Sequence, residues 1–549
     1  MEDLRTMKEI LLNSYNKFKD KEAFLSKKDG KWVETTYGQY YDDVNALGTC
    51  LIDMGYKDHF IGVLGENRYE WCVTHMATIN GIGVIVPVDK EITPQETCNL
   101  LNRCEASVFV YSGKYTNHAD AVKEKVKSVR LFVNMDEDFA ELLETGKKLV
   151  AEGDQRFLNA PVDENEMRML LFTSGTTGIP KGVMLSHKNV CTVANAMHKM
   201  AKLDETDRVL SILPIHHTYE CTCDFLGMIK YGVSIAFCEG LRYIGDNVRE
   251  VNPTILLVVP LILDNVYAKI LNKASLEKGG KEKILGALKV TFALKRIGID
   301  IRKKLFAKVH ESLGGKLRLI VAGAAAMNPE TGKALYSMGF TIIQGYGLTE
   351  CAPLVTANPE GASKLASIGI PIAGVEVQIV DKDAEGTGEL AVRGPNVMLG
   401  YYKDPEATAK VLKDGWLLTG DYGYADKQGY IYITGRKKNI IVMSNGKNVY
   451  PEEIETVINN SPYILESMVV GKEANGETQI FAYIVPNLET LKAEEKATDE
   501  PSIRLLVEEE IRNINKDMPI YKKIRGFQIR SEEFEKTSTK KIKRDSQNF

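Results

Sequence analysis

Long apolar runs are missing from this 549-residue chain. The strongest one, residues 255–263, holds nine residues and is broken by Pro260, whereas a helix that spans a bilayer needs about 20. The opening Met1-Glu2-Asp3-Leu4-Arg5 lacks the basic-then-apolar order of a signal peptide. Cysteine is sparse and unpatterned: nine residues, no Cys-x-x-Cys, and none after Cys351. That suits neither a disulfide framework nor a zinc site, and a reducing cytoplasm fits it best. An excess of one charge is missing too, since 70 Lys and Arg stand against 74 Asp and Glu, a net of −4. A globally basic nucleic-acid coat and a disordered acidic chain are both excluded. What is present, 44% hydrophobic and 26% charged residues, is the balance of an ordinary globular protein. At about 150 residues per domain the length allows three or four compact units.

The first 350 residues alternate strand-like and helix-like patterns. Residues 60–64, 82–88 and 107–111 read as buried strands, and 68–80 as a helix. Thr93-Pro94-Gln95-Glu96 offers a helix cap, a proline at the first helical position and an acidic first turn. The rhythm recurs at 167–172, 208–213, 233–238, 254–259, 317–322 and 340–343. Apolar strands covered by helices on both faces predict an α/β fold with two mainly parallel sheets. From Ser367 to residue 433 short strands of period two, split by Gly and Asp-Gly, predict a small antiparallel barrel. After Gly435 a strand at 440–443, a helix at 451–460, strands at 466–471 and 478–485 and a helix at 502–516 predict a small α+β unit. The expected division is therefore a large domain over 1–435, with its barrel at about 367–433, and a small one over 436–549.

One stretch differs by charge. Ten Lys and Arg residues fall within 278–308 against only Glu282 and Asp300, a local balance of +8. Apolar residues from Ile284 to Phe306 interleave with them at helical spacing. Such a basic amphipathic helix is either an internal helix with a solvated face or one that lies on an anionic bilayer. The expected location is the cytoplasm, with peripheral contact at the inner membrane face left open.

The densest chemical signal is Thr173-Ser174-Gly175-Thr176-Thr177-Gly178-Ile179-Pro180-Lys181-Gly182, directly after an apolar strand. Glycines permit a tight path on which main-chain N–H groups converge on phosphate oxygens. The hydroxyls of Thr173, Ser174, Thr176 and Thr177 add donors, and Lys181 adds a positive charge. This composition suits a nucleoside-triphosphate cradle. It is not a Walker A loop, because Lys181 follows Pro180 and precedes Gly182 where Gly-Lys-Ser/Thr is required.

On this loop the chain resembles the adenylate-forming superfamily of acyl-CoA synthetases, nonribosomal-peptide adenylation domains and firefly-type luciferases. Further signatures follow in the family's order. Gln344-Gly345-Tyr346-Gly347-Leu348-Thr349-Glu350 resembles its second nucleotide motif. By that resemblance Tyr346 offers a face to adenine, Gly347 leaves room for the ligand, Thr349 bonds the α-phosphate and Glu350 holds Mg²⁺. Gly323 and Ala324 resemble the small-residue wall beside adenine. Asp421, closing Trp416-Leu417-Leu418-Thr419-Gly420-Asp421, and Arg436 resemble the ribose ligands. Leu213-Pro214-Ile215-His216-His217-Thr218-Tyr219-Glu220 matches the acyl-side motif, with His217 as its histidine, in competition with a satisfied core histidine. Lys438 falls on the hinge position of Arg436-Lys437-Lys438-Asn439, and Gly446 on the loop that lines the pantetheine channel.

The ending Lys536-Thr537-Ser538-Thr539-Lys540-Lys541-Ile542-Lys543-Arg544 resembles the family's last motif. Aligned on Ile542 and Arg544, its lysine is Lys541. Glu535 stands where proline is usual and Lys540 where glycine is usual, which leaves Lys540 as the alternative. The resemblance implies a mobile C-terminal domain and a two-step ligase using ATP, Mg²⁺ and CoA. A carboxylate, by expectation that of a long-chain fatty acid, is adenylated with loss of pyrophosphate and then transferred to the CoA thiol. Alternatives are an acyl carrier protein as acceptor, or an aryl or short-chain acid as substrate. The resemblance to long-chain ligases rests on the His-Thr-Tyr-Glu segment, the insert at 272–316 and the Lys-Ile-Lys-Arg ending. No nucleic-acid partner is expected, and the sequence is silent on oligomeric state.

Overall fold

The structure, a computed structural model, describes residues 3–173, 180–276, 279–443, 447–474, 477–493, 496–497, 499–536 and 542–544. Its packing groups into two units: Met1–Met327 with Thr331–Glu376 and Val392–Leu417, and Asn328–Glu330 with Val377–Ala391 and Leu418–Phe549.

Two helix-flanked sheets build the first unit. Among the described residues one sheet has seven strands, in the order Gly400–Tyr401, Lys181–Ser186, Met167–Thr173, Gly83–Pro87, His59–Leu64, Val108–Tyr111 and Leu131–Asn134. The last five run parallel, and Lys181–Ser186 returns antiparallel on Met167–Thr173. The parallel centre of the other sheet comprises Thr341–Gly347, Leu319–Ala322, Ile255–Val258, Arg208–Ser211, Ser234–Phe237 and Glu22–Lys28. Antiparallel neighbours flank it: Leu354–Ala357 beside Thr341–Gly347, and Lys31–Thr36 beside Glu22–Lys28. The central parallel strands are largely apolar because both faces are covered, as at Val108–Tyr111 and Ile255–Val258, where every residue is buried.

Local sequence sets the helix starts. Thr93 Oγ1 accepts from the Glu96 N–H at 3.2 Å while the Glu96 carboxylate accepts from the Thr93 N–H at 2.7 Å. Pro94 supplies the fixed first helical φ. Thr36 and Ser186 build the same reciprocal caps for Tyr37–Asp53 and His187–Met200, each cap contributing about 1 kcal/mol.

The basic stretch is not one helix. Gly280–Arg296 ends at Gly298, whose φ of +86° belongs to the left-handed region, and the chain resumes only as Arg302–Leu305 and Ala307–Ser312. Leu288 and Thr291 are buried against the core of the larger sheet.

The second unit holds most of a sheet formed by Glu376–Val380, Gly388–Arg393, Trp416–Ala425 and Ile431–Arg436, the last two antiparallel. It also contains a three-stranded sheet, in which Ile464–Ala474 pairs antiparallel and Ile524–Ile529 parallel with Glu477–Pro486. The helices Pro451–Ile458 and Glu500–Lys516 pack on that sheet through Ile454, Ile458, Ile503, Val507 and Ile511. Within this unit Asp421 and Arg436 sit opposite each other in one ladder.

Helix Tyr37–Asp53 meets helix Phe139–Ala151 at Gly146, where a Cβ would lie 1.9 Å from the Ala46 carbonyl oxygen. Gly146→Ala is expected to destabilise the first unit by about 1–3 kcal/mol, seen as an earlier thermal unfolding transition.

Candidate functional site

Strand Met167–Thr173 pairs antiparallel with Lys181–Ser186, with Thr173 opposite Lys181 in the ladder. Thr173 Oγ1 donates to the Lys181 carbonyl at 3.4 Å. Ser174, Gly175, Thr176, Thr177 and Gly178 lie outside the described residues.

Lys181 is tied to the second nucleotide motif. Its Nζ stands 4.8 Å from the centre of the Tyr401 ring, and the Tyr401 hydroxyl donates to Glu350 Oε1 at 2.8 Å. Burial pushes the Tyr401 phenol up, and the Glu350 carboxylate adds to the shift, so the hydroxyl keeps its proton and acts as donor. Strand Gly400–Tyr401 reaches this place by pairing with Lys181–Ser186. The preceding segment is pinned by two buried asparagines. Asn189 Nδ2 donates to the carbonyls of Pro395 and Val397, both at 2.8 Å, and Asn396 Nδ2 donates to the Leu354 carbonyl at 2.8 Å. The Met398 N–H then bonds the Glu350 carbonyl at 2.8 Å.

Thr349 and Glu350 open a single 3₁₀ turn, Thr349–Cys351, after strand Thr341–Gly347. Tyr346 lies opposite Thr356 in the neighbouring strand and is half-buried. Gly347 is required by a close approach, since a Cβ there would fall 1.9 Å from the Pro353 carbonyl oxygen. Gly323 ends strand Leu319–Ala322, donating to the Val258 carbonyl at 3.1 Å. A Cβ on Gly323 would meet the Tyr219 ring at 3.0 Å, and the Tyr219 hydroxyl donates to the Val321 carbonyl at 3.0 Å. Ala324 follows in the left-handed region at φ +69°. The small-residue wall and the acyl-side motif are therefore neighbours.

His217 sits in the turn between strand Arg208–Ser211 and the π-helix Tyr219–Leu226, its N–H bonded to the Pro214 carbonyl at 3.0 Å. This turn is held from elsewhere in the chain. Asn67 donates through Nδ2 to the Leu213 carbonyl at 2.7 Å and to Ser211 Oγ at 2.8 Å, and its Oδ1 accepts from the Ile215 N–H at 3.1 Å. Ser211 Oγ donates to Glu220 Oε1 at 2.6 Å. Glu220 and Asp224 are both fully buried in the π-helix, and burial raises both carboxyls, with mutual repulsion adding to the Glu220 shift. The pair thus retains a proton at neutral pH.

In the second unit, Asp421 is buried and Arg436 Nε lies 2.9 Å from its Oδ1, so the two expected ribose ligands are already partners. Lys437 Nζ pairs with the buried Glu389 at 2.6 Å, and the hydrogen bond to that carboxylate raises the lysine. Lys438 lies in the 3₁₀ turn Lys437–Asn439, between strand Ile431–Arg436 and strand Ile441–Val442. Gly446 and Lys541, with its alternative Lys540, lie outside the described residues. The residues that flank Lys541 are anchored: Lys536 pairs with Ile542 in a β-bridge and with Glu466 at 2.7 Å. Arg544 pairs with Glu455 at 2.5 Å and donates to the Val469 carbonyl at 3.1 Å.

Sequence reading missed Tyr401, Asn67, Asn189 and Asn396. No local pattern marks a lone tyrosine or asparagine whose partner stands far along the chain. Glu220 had a signal, its place in the motif at 213–220.

The comparisons with known proteins bear on the same residues. Residues 12–402 match the AMP-binding enzyme family, and residues 438–548 match the AMP-binding enzyme C-terminal domain. Long-chain-fatty-acid–CoA ligase 1 of Cavia porcellus is 30% identical over 590 residues, which cover 97% of this chain and 83% of the relative. Long-chain-fatty-acid–CoA ligase 5 of Rattus norvegicus is 32% identical over 498 residues, covering 84% of this chain and 72% of the relative. Among solved structures, the anthranilate CoA ligase AuaEII in complex with anthranoyl-AMP superposes with a TM-score of 0.78 at 21% identity, covering 99% of this chain and 96% of that one. With its nucleotide motifs joined through Tyr401 and its length matched in both parts, the chain belongs to the AMP-binding enzyme family, the adenylate-forming superfamily.

Proposed function

We propose that this adenylate-forming enzyme activates a long-chain fatty acid with ATP and transfers it to the thiol of CoA. The observation that carries the reading is the Lys181–Tyr401–Glu350 chain, which joins the phosphate loop to the second nucleotide motif. The long-chain assignment is supported by the names of the two mammalian relatives. ATP, Mg²⁺ and CoA are the family's cofactors and co-substrate. Glu350 fits the metal: it is a half-buried hard-oxygen ligand whose carboxylate is oriented by one hydrogen bond, and Mg²⁺ characteristically takes one or two carboxylates plus substrate phosphates. When bound there it neutralises phosphate charge.

In the first half-reaction the fatty carboxylate attacks the α-phosphorus and pyrophosphate leaves. Little covalent work falls to the protein, so positioning and charge stabilisation dominate. Lys181 and the hydroxyls around Thr173 steady the polyphosphate, Thr349 bonds the α-phosphate, and Tyr346 with Gly323 and Ala324 encloses the adenine. Asp421 accepts from the ribose hydroxyls while Arg436 holds that carboxylate in place. His217 shapes the acyl side. Lys541 stabilises the developing charge, then withdraws as the chain turns at Lys438 so that the thiol, led past Gly446, reaches the acyl carbonyl. The small domain that moves begins after residue 435.

A second surface fits a substrate that partitions into membranes. Val290, Ile297 and Leu305 are 52%, 72% and 51% exposed, and they alternate with the exposed Lys283, Lys289, Lys303 and Lys304. No helix among the described residues is long and apolar enough to cross a membrane. A basic, apolar outer face instead suits peripheral contact with anionic lipid.

Incubation with ATP, Mg²⁺ and a chain-length series of acids is expected to release pyrophosphate, with kcat/KM rising toward long chains. CoA is expected to outperform a carrier protein as acceptor. A preference for aryl or short acids, or no pyrophosphate at all, overturns the reading. Lys541→Ala is expected to lower adenylation by about 10²–10³-fold while thioester formation from supplied acyl-adenylate survives, and Lys438→Pro is expected to do the reverse. Equal loss of both half-reactions in either variant contradicts the two-state scheme. In flotation with vesicles, binding is expected with phosphatidylglycerol and not with neutral lipid, and is weakened by Val290→Ser with Ile297→Ser; indifference to lipid charge or to these changes excludes the surface.

A further inference from the structure

Three ligand-bearing side chains converge beside the acyl-side turn, and none of the chemistry above uses them as a set. Asp89, His216 and His217 each offer one ligand atom, and these atoms all lie within 4.8 Å of one another. They come from two places in the smaller and larger sheets: Asp89 follows strand Gly83–Pro87, and the histidines follow strand Arg208–Ser211. The two imidazole rings are 4.2 Å apart, centre to centre, at 48°.

His216 supplies the second observation. It is only 6% exposed. Its Nε2 stands 3.2 Å from Asp89 Oδ1, yet neither ring nitrogen makes a hydrogen bond among the described residues. A buried imidazole aimed at a carboxylate without a hydrogen bond is unfavourable unless something else satisfies it. A cation between the three groups does so: it takes a lone pair from a ring nitrogen of each histidine and one from the carboxylate.

The donor set selects the ion. Two imidazoles and one carboxylate are borderline nitrogen and oxygen ligands, suited to Zn²⁺ and its neighbours and not to Mg²⁺, which keeps oxygen ligands and water. Zinc bonds of about 2.0–2.2 Å require the three atoms to draw closer than their outer limit of 4.8 Å. Asp89 and His217 are half-buried. Three protein ligands leave a fourth position open for water. Cysteine spacing gives no hint of this site, because it contains no cysteine.

We propose that Asp89, His216 and His217 form a binding site for a Zn²⁺-type cation, and that its occupation holds His217 away from the acyl side and slows the ligase. The binding stands independently of the proposed function; the slowing rests on it.

The test begins with the full chain freed of metal and of nucleotide, since ATP itself binds zinc. Titration with Zn²⁺ by calorimetry, and with Co²⁺ by visible absorption, is expected to show one equivalent bound, with the intense d–d bands of a four-coordinate site. His216→Gln and Asp89→Asn are each expected to weaken binding at least about tenfold and to melt like the native chain in chelator. The nine cysteines, eight buried and Cys238 half-buried, are the competing ligands, so the comparison of variants decides. Binding that is absent, or equal in the native chain and both variants, overturns the site; should His216→Gln fail to fold, Asp89→Asn alone decides it. In the ligase assay, Zn²⁺ is expected to lower native turnover reversibly by chelator and to spare His216→Gln. Intact, variant-sensitive binding with no change in turnover would overturn the inhibition alone.

Discussion

A single phenol joins strand Lys181–Ser186 to the turn Thr349–Cys351 in the first unit. Tyr401 is built into the edge of the smaller sheet, yet its hydroxyl bonds Glu350, which follows a strand of the larger sheet. The same ring lies under the Lys181 ammonium. A cation over an aromatic face and a phenol donating to a carboxylate are each modest. Together they fix the separation of a positive group and a negative one. Asn189 satisfies two carbonyls of the segment 395–397, which has almost no regular structure of its own, and Asn396 ties that segment to the Leu354 carbonyl. Buried backbone needs such partners, and a pair of asparagines provides them without a further strand.

The acyl side is organised differently. Its turn is fastened by Asn67, from the other sheet, and by Ser211 to a carboxylate inside a π-helix. The π-helix places Glu220 and Asp224 together in a dry environment. Two carboxyls so placed do not both ionise readily, so the pair holds one proton and shares a single negative charge. Polar groups at this depth are costly unless paired.

Much of this architecture was legible in local sequence because local forces set it. Thr93, Pro94 and Glu96 fix a helix start within one turn, and the apolar strands from 60–64 to 254–259 stand within a few residues of their expected limits. Where expectation and structure part, a longer-range term is responsible. The basic stretch is an exception: Gly298, in the left-handed region, stops its helix locally although the flanking residues carry a helical pattern. Glu22–Lys28 and Lys31–Thr36 extend the larger sheet from the far N-terminal end of the chain, a pairing with Ser234–Phe237 that no nearby residue announces.

The sequence by itself determined the family: the order of the Ser/Thr/Gly loop, the Tyr-Gly-Leu-Thr-Glu motif, the Asp421 and Arg436 positions and the lysine-rich ending. Those are contiguous strings, and a short string can specify a backbone path and a set of functional groups. Only the tertiary structure decided which of them meet, and through what. Tyr401 reaches Glu350, Asn67 reaches Leu213, and Asp89 reaches His216, because parallel strands are joined by long crossovers that bring distant residues to neighbouring strand ends. Side-chain identity is encoded one residue at a time, but proximity is a property of the packed sheets.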